Sequence, residues 1–331
     1  ATPVWGNELR PISISVQMLP DPLFGALRAE LAPITFSRSG LQLKDLSPLA
    51  QHFEKFDATI AGEMSLDWQG GRSASQGRLS VVDGSFISKG ISIEGLATEL
   101  TLKSLWPVET PPNQRVSVEK LDLGIPLSHL EAIFAAHSGH TGAPVIELTK
   151  SSFDMLGSTI KIRPQVYNVE AEENPFVIDV LHLDLAKLFA FVSLEGVDGS
   201  GKIDGTVPIK LSPEGVAIEN GRLASVEPGR LQIRSATVRA YLANYDENVD
   251  LLMEALEDFH YETLTVEIDK TASEDLIARL SVLGRNPKVL DGRSFQLNIQ
   301  LDSNIEQLMN ALVEGYRISN EALKRAWGLI R

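Results

Sequence analysis

The stretch Gly196–Gly205, GVDGSGKIDG, has the spacing G-x-x-x-x-G-K of a loop that cradles phosphate. Ile203 stands where that loop needs a Mg²⁺-binding Ser or Thr. Such a loop must leave a strand and enter a helix whose N-terminus faces the phosphates. Here the order is reversed. Leu185 to Phe191 has helical spacing upstream, while Gly205 and Pro208 follow Lys202 too closely for a helix to survive downstream. These glycines are expected to let a helix-to-strand connection bend and the sheet curl, not to hold a nucleotide.

Six histidines are the other candidates for chemistry. His137-Ser-Gly-His140 has metal-like spacing, with His129 upstream, but the small polar flanks read as a loop carrying a solvated pair. His260, between Phe259 and Tyr261, is expected to be a packing residue. There is no cysteine, which removes thiol catalysis, disulfides and thiolate metal sites. No G-x-S-x-G or H-E-x-x-H occurs, and the carboxylates are scattered over polar positions. No catalytic residue, metal or cofactor is expected.

The elements that would position any site are mostly strands. Ile12, Ile14, Val16 and Met18 alternate with polar residues. So do Leu96, Leu100 and Leu102; Val207, Ile209 and Leu211; Leu264, Val266 and Ile268; Leu276 to Val282; and Phe295 to Leu301. Period two means one apolar and one polar face, and the scarcity of continuous apolar runs predicts antiparallel meanders. Turns are expected at Asp83-Gly84, Asn220-Gly221, Pro228-Gly229, Asn286-Pro287 and Asp291-Gly292. Helical spacing predicts short helices over Pro48–Phe56, Leu127–Ala136 and Leu185–Phe191, and a longer one over Glu247–Phe259. Ser303-Asn-Ile-Glu306 is a capping box that opens an amphipathic C-terminal helix.

An internal repeat is visible. Leu46, Gly62 and Gly84 recur about 139 residues later as Leu185, Gly201 and Gly221. Each copy reads as a short helix, a Gly-led strand, and a strand entering an Asp-Gly or Asn-Gly turn. The expected divisions are 1–150 and 151–302, two sheet segments, and 303–331, the terminal helix.

Composition narrows the partners. With 30 basic and 44 acidic residues the formal net charge is −14, which repels nucleic acid and anionic headgroups alike. Aromatics are only 6% against 43% hydrophobic residues, so the apolar surface is mostly aliphatic. The longest uncharged run, Ala132–Ile146, is broken by Gly and Pro and falls short of the ~20 apolar residues a membrane span needs. The start, ATPVWGNELRP, carries no apolar signal core.

From Leu183 to Ile233, LDLAKLFAFVSLEGVDGSGKIDGTVPIKLSPEGVAIENGRLASVEPGRLQI, the chain resembles the C-terminal region of AsmA-like envelope proteins of the YdbH branch, also labelled a "dicarboxylate transport" domain. MEALEDFHYETLTVEID and LGRNPKVLDGRSFQLNIQLD continue the resemblance, which covers about residues 175 to 310. It implies a mainly β fold with short helices: a long curled antiparallel sheet forming an open apolar groove, capped by the C-terminal helix. It further implies a periplasmic segment that carries phospholipid between inner and outer membranes of Gram-negative bacteria. An inner-membrane anchor is expected outside this chain, and a small outer-membrane lipoprotein near the C-terminal sheet edge.

On this reading Val207, Ile209, Leu211, Leu264, Val266, Ile268, Leu297 and Ile299 line the groove and meet acyl chains. Two alternatives stay open. A soluble dicarboxylate binder would need converging Arg or Lys, and no such cluster is visible. A structural scaffold would have a closed, dry core.

Overall fold

The computed structural model describes residues 12–18, 24–46, 53–88, 91–122, 126–139, 142–192, 196–212, 215–235, 249–271 and 276–303. It is an antiparallel β protein with three short α-helices and one 3-10 helix, Leu290–Gly292, among the described residues. The backbone divides into two units. Of the described residues, one holds those up to Phe153 together with Pro164–Asn174; the other holds Asp154–Arg163 and those from Pro175 to Ser303.

The first unit opens with β1 (Ile12–Met18), β2 (Phe24–Phe36) and the one-turn helix α1 (Leu43–Leu46). There follow β3 (Glu54–Gln69), β4 (Arg72–Ser88), β5 (Ile91–Leu102), the two-residue strands β6 (Ser104–Leu105) and β7 (Val108–Glu109), β8 (Gln114–Asp122), β9 (Pro126–Ser138) and β10 (Pro144–Met155). Strands β1 to β5 pair in chain order, then β5 with β8 and β8 with β9. Strand β10 pairs with β9 and with β12 (Gln165–Asn168). Alternating apolar and polar residues keep these strands long, and β4 reaches 17 residues.

In the second unit β11 (Ser158–Ile162) pairs with β13 (Asn174–Asp184), and β13 with β15 (Lys202–Ser212). The sheet continues through β16 (Gly215–Ser225), β18 (Phe259–Lys270), β19 (Leu276–Arg285) and β20 (Phe295–Ser303). Helix α2 (Leu185–Val192), strands β14 (Val197–Ser200) and β17 (Gly229–Ile233), and helix α3 (Val249–Leu256) gather at the first residues of β18. Apart from the β6–β7 pair, the described strands belong to one 18-stranded antiparallel sheet, which does not close into a barrel.

Asp83-Gly84 and Asn220-Gly221 are not hairpin turns. Both lie inside strands, β4 and β16, with Asp83 and Asn220 at φ 54° and 56°. The pairing register slips at each, between Val81 and Gly84 and between Ile218 and Gly221. These are β-bulges, which bend a strand and increase its twist. Lys55 in β3, Gly95 in β5, His129 in β9 and His182 in β13 adopt the same left-handed conformation inside strands. Together they crease the sheet and make it curl. A carboxylate from the next strand holds two of the creases: Asp269 accepts from the Asn220 N–H at 3.0 Å, and Asp204 accepts from that of His182.

The Leu127–Ala136 segment is strand β9, not a helix. Its backbone pairs along β8, and left-handed His129 interrupts the alternation, leaving Leu127, Leu130 and Phe134 at helix-like intervals. The helix expected over Pro48–Phe56 is also displaced. Glu54–Phe56 begin β3, α1 lies upstream at Leu43–Leu46, and residues 47–52 fall outside the described set. Leu185–Val192 and Val249–Leu256 are helical as the spacing requires, although Phe259 already belongs to β18. Pro228 ends the connection from β16 and Gly229 already begins β17, Asn286-Pro287 opens the turn after β19, and Asp291-Gly292 lie in a one-turn 3-10 helix. Ser303 ends β20, so the expected C-terminal helix lies outside the described residues.

Candidate functional site

Residues paired directly across an antiparallel sheet share a face. In the first unit this builds apolar rows that cross the strands. Ile12, Leu31, Gly62, Leu79 and Leu100 form one row; Ile14, Ala29, Met64, Gly77 and Leu102 form the next. Val16, Leu27 and Leu66 form a third, and Met18, Gly25 and Trp68 a fourth, with the Trp68 ring lying over Gly25. The opposite face carries Ser13, Glu30, Glu63, Arg78 and Thr101 in register, with ion pairs Arg28–Asp67 and Arg78–Glu99.

Much of the apolar face is bare. Ile14 and Val16 are each 54% exposed, Met18 62%, Met64 40% and Leu79 36%, while Leu27, Leu31, Leu66, Trp68, Leu100 and Leu102 are half-buried. Contiguous exposed aliphatic surface at a relay of adjacent strands marks an interaction site, because single exposed apolar residues scatter but do not align.

One end of β2, β3 and β4 is sealed. In β3 the apolar parity runs from buried Phe56 and Ala58, through half-buried Ile60 and Gly62, to exposed Met64. Phe36 meets Phe56 edge-on at 5.5 Å, and Phe53 and Phe86 complete the cluster under Leu41 and Leu43. The Gln42 side chain locks this plug to the sheet by donating to the Phe56 carbonyl at 2.9 Å and accepting from the Phe56 N–H at 3.2 Å.

The second unit has the same polarity of faces. Ile160 and Ile162 in β11 pair with Val180 and Ile178 in β13. Leu223, Val266, Leu280 and Ile299 align across β16, β18, β19 and β20, and so do Leu264, Val282 and Leu297. Its other face is an ion-pair lattice. Arg163 grips Asp179 through two bonds of 2.9 and 2.7 Å, Thr206 donates to the same carboxylate, and Lys210–Glu219, Arg222–Glu267 and Arg279–Asp269 bridge other positions. The hydrogen bonds from Arg163 hold Asp179 below the usual carboxylate range, and the Asn220 N–H does the same for Asp269.

The expected wall residues divide accordingly. Val207 and Leu264 are buried in the chain's own packing, at 9% and 2% exposure. Ile209, Leu211, Val266, Ile268 and Leu297 are half-buried, and Ile299 is placed by its register opposite Leu280. The most exposed apolar residues lie instead in the first unit. Ile14, Val16 and Met18 were legible as an alternating strand. Their exposure was not, because alternation shows which residues share a face but not what covers it.

The glycine-lysine stretch runs from β14 into β15, strand to strand. Gly201, at φ 119°, and Gly229 leave room for the ring of Tyr261, whose hydroxyl donates to the Ser200 carbonyl at 2.9 Å. Of the histidines, His137 faces Glu147 at 3.3 Å, and His140 lies outside the described residues. His260 is not a packing residue. It is exposed on the polar side, 2.9 Å from an Asp258 oxygen that also takes the Arg230 guanidinium. No group of three or more metal-ligating side chains occurs among the described residues.

Neither a curated protein sequence nor a solved structure matches the chain. A family model described as YdbH-like, intermembrane phospholipid transport protein YdbH, matches residues 14–326, which is nearly the whole chain. The chain therefore belongs to the YdbH-like family of intermembrane phospholipid transport proteins.

Proposed function

We propose that this chain is a periplasmic segment of a bridge along which phospholipid moves between membranes, with acyl chains lying on the apolar face of the curled sheet. The observation that carries the reading is the bare aliphatic surface shared by β1 to β5, from Ile14 and Val16 to Met64 and Leu79. Family membership supplies the occupant. Removing aliphatic surface from water is favourable by about 25 cal/mol per Å². An acyl chain supplies the covering layer that the described protein does not. Side chains without strong polar anchors make many similar weak contacts, which suits sliding better than trapping. The reading assigns no catalytic role to any residue.

Each unit supplies a groove segment of its own in this scheme. Ile209, Leu211, Val266, Ile268, Leu297 and Ile299 form the wall in the second, while Val207 and Leu264 support it from within the chain's own packing. The chain is held to the inner membrane through a segment outside it. A small outer-membrane lipoprotein adds to the sheet at β20, whose described pairing is to β19.

Native mass spectrometry of gently purified protein should show co-purifying phospholipid, and Leu79→Arg should remove it while the far-UV circular dichroism stays unchanged. A lipid-free spectrum of the unaltered chain would sink the reading. In an envelope transport assay Ile209→Arg should abolish transfer; undiminished transfer removes the second unit from the path.

A further inference from the structure

Five methionines occur in the chain, and the structure places them in very different surroundings. Met253 is 2% exposed, in helix α3. Met18 and Met64 are exposed, and both stand in the apolar rows of the first unit. Their uncovered state has a local cause. Met64 lies opposite the small residues Ala29 on one side and Gly77 on the other, while Met18 stands on β1, whose described pairing is to β2, opposite Gly25 with the Trp68 ring folded over that glycine.

We propose that Met18 and Met64 form an oxidation-sensitive site on the lipid-bearing face, where conversion to the sulfoxide shuts down lipid uptake. The proposal rests on the groove reading above. The oxidant is hydrogen peroxide. A sulfur lone pair attacks one peroxide oxygen, the O–O bond breaks, the S–O bond forms and water leaves. The thioether loses two electrons and the peroxide gains them.

A thioether is polarisable, flexible and apolar, well suited to irregular hydrocarbon. The sulfoxide is strongly polar. An acyl chain laid over it would bury an acceptor that hydrocarbon cannot satisfy. Neither side chain belongs to the Phe cluster or to the Tyr261 packing, so the chemistry falls on the lipid surface and not on the fold.

The full chain, freed of lipid, is treated with hydrogen peroxide and peptide-mapped over time. Met18 and Met64 should oxidise about tenfold or more faster than Met253. Equal rates would overturn the proposal. Treated and untreated protein are then compared for lipid uptake from phosphatidylethanolamine–phosphatidylglycerol vesicles. Uptake should fall about tenfold on oxidation, as expected for one unsatisfied polar group under the ligand.

For the Met18→Leu/Met64→Leu double variant, whose untreated uptake is measured first as its own reference, identical treatment should leave that uptake unchanged. Full uptake by the oxidised unaltered chain, loss of uptake by the treated double variant, or a collapsed urea midpoint after oxidation each defeats the assignment. An untreated chain that takes up no lipid defeats the groove reading itself and this consequence with it.

Discussion

Tyr261 shows how much of this protein depends on small residues meeting a large one. The ring is 1% exposed, and burial pushes its hydroxyl pKa up. Glycines at 201 and 229 flank it, and a Cβ at either would strike the phenol oxygen. Gly229→Ala should therefore destabilise the fold by about 1–3 kcal/mol in urea denaturation, as overpacking does. Tyr261→Phe keeps the ring, loses the bond to Ser200, and should cost about 1 kcal/mol. The sequence reveals that the glycine-lysine stretch is no phosphate loop, since the flanking periodicity is in the wrong order. It does not reveal that Gly201 waits for a side chain 60 positions later. Titration belongs to this scale too. Asp179 and Asp269 have folded pKa values below their unfolded ones, so their stabilisation is full above the unfolded value and lost as pH falls through the folded one. The urea midpoint should fall as pH drops below about 5 and go on falling until both carboxylates are protonated, more gently at high salt because these carboxylates are partly solvated. Asp179→Asn should shrink that dependence.

At the level of elements, the creases matter more than the strands they interrupt. Alternation made β1, β5, β15, β18, β19 and β20 readable, and helical spacing did the same for α2. The Asp-Gly and Asn-Gly pairs were read as turns because those dipeptides favour left-handed backbone, which is correct locally. Whether left-handed backbone reverses a chain or kinks a strand depends on whether partner strands run past it on both sides. β5 runs past Asp83, and β15 and β18 run past Asn220, so both become bulges. The same effect hid β9, where left-handed His129 broke an alternation that would otherwise have announced a strand. Asn220→Val puts a β-branched residue at positive φ and should cost about 1–2 kcal/mol, whereas Asn220→Gly should be near neutral. Equal destabilisation by both would show that the Asn side chain, not the backbone, holds the crease.

At the scale of the whole molecule, charge and apolar surface are kept apart among the described residues: charged side chains lie on polar faces threaded with ion pairs, while aliphatic side chains line the other side. The protein should therefore bind anionic vesicles no better than zwitterionic ones in flotation, and stronger binding to the anionic set would contradict that separation. Which residues share the apolar face could be worked out from parity. Where that face is sealed could not, since sealing depends on α1 and its Phe cluster, and on α2 and α3, docking at one end of the strands.

Because successive strands in each unit mostly join their sequence neighbours, the surface is extensible in a simple way. Duplicating one hairpin would lengthen the floor by roughly 10 Å, two strand spacings, and leave its cross-section as it was. Length and curvature are thus separate variables: the number of strands would set the first, and the placement of a few left-handed residues the second.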